Sequence, residues 1–266
     1  MMIVEIVCGL LFGSMALLAD GWHMASHAAA LGITALGYLF ARRHASDPRY
    51  CFGTGKIGEL AGYSSALLLA VIALIMAYES VKRLLLPVAI SFDEAIAVAV
   101  LGLIVNIISA LLLKGEHLEE YHHSSHDADH NIRAAYLHVL ADALTSLLAI
   151  VALSAGRFLR WVWMDPVMGI VGAIVIARWS YNLVRDTGRI LLDMNTNRSL
   201  SDDVRRLVES DADNQIADLH VWRVGPGHFA AIVSVLTSRP QPPVYYKGLL
   251  KSFKQLCHVT VEINPR

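Results

Sequence analysis

Between residues 61 and 113 only Glu79, Lys82, Arg83, Asp93 and Glu94 carry a formal charge. A polypeptide that apolar over so long a stretch cannot keep its backbone dissolved in lipid except as helices, or as a closed barrel. Five apolar stretches follow one another, at residues 17–41, 57–81, 93–113, 132–155 and 166–192, and each exceeds the roughly 20 residues that cross a bilayer. Their lengths, the basic residues at their ends and Pro166 in the first turn of the last all read as helices. The 55% hydrophobic content agrees with a polytopic membrane protein rather than a soluble domain.

The first residues, MMIVEIVCGLLFGSMALL, are apolar but lack a basic flank and a small-residue cleavage signal, so they do not read as a signal peptide. They predict a short helix over about 1–13, truncated relative to a full span. The stretch 42–56 carries Arg42, Arg43, Arg49 and Lys56, and the chain beyond residue 185 carries Arg185, Arg189, Arg198, Arg205 and Arg206. By the positive-inside rule both lie in the cytoplasm. A net charge of −1 and no basic stripe exclude a nucleic-acid partner. Cys8, Cys51 and Cys257 stand far apart, which excludes a disulfide framework and a zinc ribbon.

Past residue 195 the character changes, with seven charges between 198 and 211. The stretch SLSDDVRRLVESD reads as a serine-capped amphipathic helix. QIADLHVWRV and HFAAIVSVLTS, parted by GPG, read as a hairpin. PPVYYKGLLKSFKQLC reads as a helix and HVTVEI as a last strand. The expected domains are therefore a transmembrane domain over 1–195 and an α+β domain over 196–266.

The chemistry is concentrated in two short patterns. HMASH places His23 and His27 four apart, on one face of a membrane helix, and HVLAD places His138 and Asp142 at the same spacing. Two such helices, packed through the alanines at 25, 28, 141 and 143, bring three imidazoles and a carboxylate together. That is a donor set for a first-row divalent cation. Ionisable residues inside spanning segments are costly and mark function. Asp20, three residues before His23, is expected behind these ligands or on the access path; Asn106 is expected to hydrogen-bond between helices or to join the same surround.

The stretch 114–131 holds His117, His122, His123, His126 and His130 among five acidic residues, a composition that binds metal loosely or serves as a solvated linker. In the tail, His220, His228, His258 and Glu262 are accessory candidates, or ordinary sheet residues, with His258 and Glu262 on one face of a strand. Paired histidines in a membrane also suggest a cytochrome, but Asp142 and the spacing within one helix argue against axial haem ligation. No HExxH occurs, so a metalloprotease is not supported. A membrane metal sensor that transports nothing is the alternative.

Taken in order, EIVCGLLFGSMALLADGWHM, YCFGTGKIGELAGYSSALLL, HVLADALTSLLAIVAL, DPVMGIVGAIVI and DLHVWRVGPGHF resemble the cation diffusion facilitator family over essentially the whole chain. The resemblance implies a six-helix bundle with a cytoplasmic ferredoxin-like domain, assembled as a homodimer in the inner membrane of a bacterium. It implies export of divalent metal in exchange for protons, no enzymatic activity, and no cofactor beyond the transported ion. His23, His27, His138 and Asp142 match the family's transport site. Zinc exporters of the family commonly carry HxxxD where this chain has HxxxH, which with FGTGKIGELAGY and the histidine-rich stretch is most similar to the cobalt/nickel/zinc (DmeF-like) branch. Ala217 and Val233 stand where some members carry tail ligands, and His44, Asp47 and Cys51 lie near where others bind a second metal.

Overall fold

A computed structural model describes the backbone of residues 1–115 and 126–266, and the side chains of these residues except 110, 113–115 and 126–142. Among the described residues six helices come first: α1 (Met2–Leu11), α2 (Met15–Arg43), α3 (Ile57–Leu85), α4 (Phe92–Gly115), α5 (His126–Leu159) and α6 (Met164–Leu191). Helix α7 (Arg198–Glu209), strands β1 (Gln215–Gly225) and β2 (His228–Thr237), helix α8 (Pro243–Leu249) and strand β3 (Leu256–Pro265) complete the chain. Among the described residues, α2, α3, α4 and α6 are each long and apolar enough to cross a membrane. Helix α1, with ten residues, reaches only about 15 Å.

The chain divides into two compact units, one made of 1–31 and 66–181, the other of 32–65 and 182–266. Helices in the first unit meet through small residues. Ala16, Leu17, Ala95, Ala99, Ala149 and Leu153 form one core; Ala19, Leu69, Ala73, Met76, Ala173 and Ile176 form another. Gly172 of α6 lies so close to Ala19 that a Cβ there would come within 2.7 Å of the alanine methyl. Large side chains such as Leu31, Leu74, Ile75 and Leu111 face outward, as a lipid-facing surface requires.

The start of α2 is held from far along the chain. Asp165, in the first turn of α6, accepts hydrogen bonds from the Ser14 hydroxyl (2.7 Å) and from the amides of Met15 (2.7 Å) and Ala16 (3.0 Å). These are amides that a helix cannot satisfy within itself. Arg83 adds a 2.6 Å bond to the carbonyl of Gly13, whose φ of +71° turns the chain from α1 into α2.

The second unit contains the α+β fold. Helix α7 buries Leu200, Val204 and Val208, one turn apart, against the sheet. Its cap is Asn197 rather than a serine: the Asn197 side chain accepts from the Leu200 amide at 3.1 Å and from the Ser199 hydroxyl at 2.8 Å. Strands β1 and β2 pair antiparallel as a hairpin, and β3 returns parallel to β2 through α8. Helix α8 ends at Leu249, before a 3-10 turn at Leu250–Ser252, and so is shorter than the sequence suggests. Asp213 ties the entry of β1 to the end of β2, accepting from the Thr237 hydroxyl (2.7 Å) and the Ser238 amide (2.9 Å). Those bonds, Thr237 first, pull its carboxyl down to about 2.

Candidate functional site

The candidate metal residues of α2 sit within the first unit. His23 lies eight residues beyond the start of α2, about 12 Å along its axis. Were α2 to start at the edge of a hydrocarbon layer about 30 Å thick, His23 would lie well inside it. His23 is buried, and its ring centroid lies 4.9 Å from that of His27. The two imidazoles therefore meet edge to face on one side of the helix. Ser26 stays out of their way by donating to the His23 carbonyl at 2.6 Å. Trp179 of α6 closes over both rings, 4.9 Å from His27 and 5.6 Å from His23.

One turn before His23, Asp20 accepts hydrogen bonds from Ser146 (2.6 Å) and Thr145 (3.0 Å) of α5. The Ser146 oxygen in turn accepts from the Asn106 amide of α4 at 3.3 Å. Asn106 thus bonds between helices, and Asp20 is fixed to α5 one turn before His23. A cavity of about 60 Å³ opens beside Asp20 and His23, walled by Ala16, Ala19, Thr145 and Gly172 among others. It is large enough for a few water molecules.

His122 and His123 lie outside the described residues, as do the side chains of His126, His130, His138 and Asp142. The tail candidates do not converge. His258 and Glu262 share a sheet face, but four residues along a strand separate them by about 13 Å. His220 is on β1, beyond β2, and pairs with Asp218 at 2.7 Å. His228 bonds the Pro226 carbonyl, and Val233 belongs to the hydrophobic core. His44 stacks on Phe40 and bonds its carbonyl, while Arg49 clasps Asp47 at 2.7 Å and holds its carboxyl below the usual range. Among the described residues no three His, Cys, Asp or Glu side chains come together to hold a metal.

Trp179, Thr145 and Ser146 escape a sequence reading. The last two follow Asp142 by three and four positions, so the face that carries the candidate carboxylate continues through them. Trp179 gives no comparable signal, because nothing in its own stretch predicts contact with α2.

The arrangement agrees with the outcome of comparing the chain with known proteins. Residues 1–192 match the cation efflux transmembrane domain. The chain belongs to the cation efflux family. It is similar to the zinc transporter ZitB of Escherichia coli, 34% identical over 271 residues that cover 98% of this chain and 82% of that protein. It is also 31% identical to a cadmium, cobalt and zinc/H(+)-K(+) antiporter of Bacillus subtilis, covering 85% of this chain and 70% of the relative. The metal cation efflux system protein CzcD of Cupriavidus metallidurans is 28% identical, with 98% and 81% covered. As a cation efflux protein the chain is an integral membrane transporter, not an enzyme.

Proposed function

We propose that this cation efflux protein exports divalent metal (cobalt, nickel or zinc) from the cytoplasm in exchange for protons, with His23, His27, His138 and Asp142 as the ligands. The metal is cargo, and the reading calls for no resident cofactor. The observation that carries it is the His23–His27 pair, rings 4.9 Å apart with His23 buried and His27 half-buried, beside a carboxylate anchored to α5. Helices α2 and α5 run in opposite directions: Ala16 and Leu17 share a core with Ala149 and Leu153, whereas Asp20 meets Thr145 and Ser146. Counting on from that contact, each step toward His23 and His27 on α2 is matched by one toward Asp142 and His138 on α5.

Imidazole ligates only when neutral, so metal arrival displaces protons from protonated ligands and protonation releases metal. Three nitrogens and one oxygen favour cobalt, nickel and zinc over manganese or magnesium. The relatives' names, which include zinc, cobalt, cadmium and an H(+)-K(+) antiporter, support this reading. Membership of the cobalt/nickel/zinc (DmeF-like) branch, a homodimeric assembly, residence in the inner membrane of a bacterium and a cytoplasmic domain at 196–266 complete the proposal, each on the family resemblance.

The test is metal-driven proton movement in proteoliposomes, with cobalt, nickel, zinc and manganese compared. His23→Ala, His27→Ala and Asp142→Ala are each expected to abolish it while leaving the helical content intact. Undiminished flux in all three would sink the ligand assignment. Saturable binding without flux in the unaltered protein would point instead to a sensor.

A further inference from the structure

Glu5 lies in the middle of α1 with none of its surface exposed, and neither carboxyl oxygen has a hydrogen-bond partner among the described residues. It is packed against two helices. A Cβ at Gly102 of α4 would overlap its Oε1, and a Cβ at Gly21 of α2 would lie 3.1 Å from its own Cβ. Two glycines thus leave room for the Glu5 side chain. A bare carboxylate in such surroundings is uncompensated, and burying one costs several kcal/mol. The carboxyl therefore does something that packing does not explain.

The groups around it show what that is. Among the described residues, the charged side chain acting on Glu5 is Asp20 of α2. Helix α4 offers Gly102 and, one turn on, Asn106, neither of which ionises. Asn106 leads to Ser146 and Asp20, and His23 follows Asp20 by one turn. On α5, Asp142 and His138 stand one and two turns before Ser146. Glu5 is thus on a different helix from the candidate metal residues, yet within the electrostatic reach of Asp20.

We propose that Glu5 is a proton-carrying residue of the exchange cycle, loaded while the metal site is empty and unloaded when a dication sits beside Asp20. The inference rests on the antiport reading above. In the empty state the carboxylic acid is the neutral form that the apolar pocket tolerates beside the charge of Asp20. When the metal binds, its positive charge offsets that carboxylate. The O–H bond of Glu5 then breaks, its electron pair stays on the carboxylate, and the proton leaves to the water of the side from which the metal came. When the metal departs on the other side, Glu5 takes a proton from there. Each turn of this cycle moves a proton against the metal, through a residue that never ligates it.

The experiment uses the full chain in lipid. Infrared difference spectra with and without zinc are recorded for the unaltered protein and for Glu5→Gln, alongside proton and zinc fluxes in proteoliposomes. Expected is a protonated-carboxyl C=O band that disappears on zinc addition, is shifted by isotopically labelled glutamate, and is missing from Glu5→Gln. That variant still binds zinc but moves fewer protons per zinc. A band that zinc does not alter, or a Glu5→Gln variant with the same spectrum and the same protons per zinc, overturns the proposal. Should Glu5→Gln not fold, Glu5→Asp serves: a shifted band supports the assignment and an unshifted one overturns it. Zinc flux without proton movement in the unaltered protein would overturn the antiport reading itself, a result distinct from a loss confined to Glu5.

Discussion

At position 27 an imidazole stands where, by the family resemblance, zinc exporters commonly carry a carboxylate. His27 is in ring contact with His23 and with Trp179, so it is held by packing as well as by its place on α2. Replacing it with aspartate would convert the proposed set of three nitrogens and one oxygen into two of each. Nitrogen-rich sites suit nickel and cobalt, and added carboxylate shifts a site toward harder ions. His27→Asp is expected to keep zinc flux and to lower cobalt and nickel flux relative to zinc by about tenfold, equivalent to ~1.4 kcal/mol of differential ligation. Competitive flux in proteoliposomes measures that ratio directly, and an unchanged ratio would mean that residue 27 does not set metal preference. The HxxxH pattern is legible in the sequence because i and i+4 share a helix face whatever the neighbours do. The ring of Trp179 over it was not legible, since no periodicity links residue 179 to residue 27.

Elements show the same division between local and distant causes. The apolar runs of α2 to α6 are visible because lipid demands helices of a minimum length, and the hairpin of β1 and β2 because GPG breaks two alternating stretches. The cap of α7 falls on Asn197 because that side chain reaches the Leu200 amide, a choice that the neighbouring Ser199 and Ser201 disguise in the sequence. The start of α2 is the clearest case of a distant cause. Its first amides are satisfied by Asp165, about 150 positions away, with the Ser14 hydroxyl completing the cluster. Asp165→Ala leaves buried donors unmet at the end of the helix that bears His23. It is expected to destabilise the protein by about 2–4 kcal/mol, since hydrogen bonds to charged groups contribute about 1.5–3 kcal/mol each and are not additive. Thermal unfolding in detergent measures the loss, and Asp165→Asn, which keeps an acceptor, should recover part of it. A melting curve like that of the unaltered protein would show that water replaces the cap.

At the scale of the whole molecule, the second compact unit contains both ends of spanning helices and the α+β fold. Gly55 comes so close to the backbone of Val224 and Gly225 that any side chain there would collide with the Val224 carbonyl. Phe52 lies edge-on to Trp222 and His258, at 5.6 and 5.7 Å. Lys56 pairs with Asp193, and Arg223 of β1 pairs with Glu59 at the start of α3 at 3.2 Å. The last pair is well shielded, with 27% and 19% of the two side chains exposed, so its geometry matters more than that of a surface pair. None of this could be read from a sequence in which residues 59 and 223 belong to different stretches of different character. Motion of α3 during transport must therefore carry the sheet with it or break this contact. Arg223→Glu and Glu59→Arg each set like charges together and are expected to lower metal flux, whereas the double reversal restores the pair and most of the flux. The comparison is made at equal amounts of folded protein in proteoliposomes. Should the double variant be as impaired as the worse single one, the contact is not an ion pair that transport depends on.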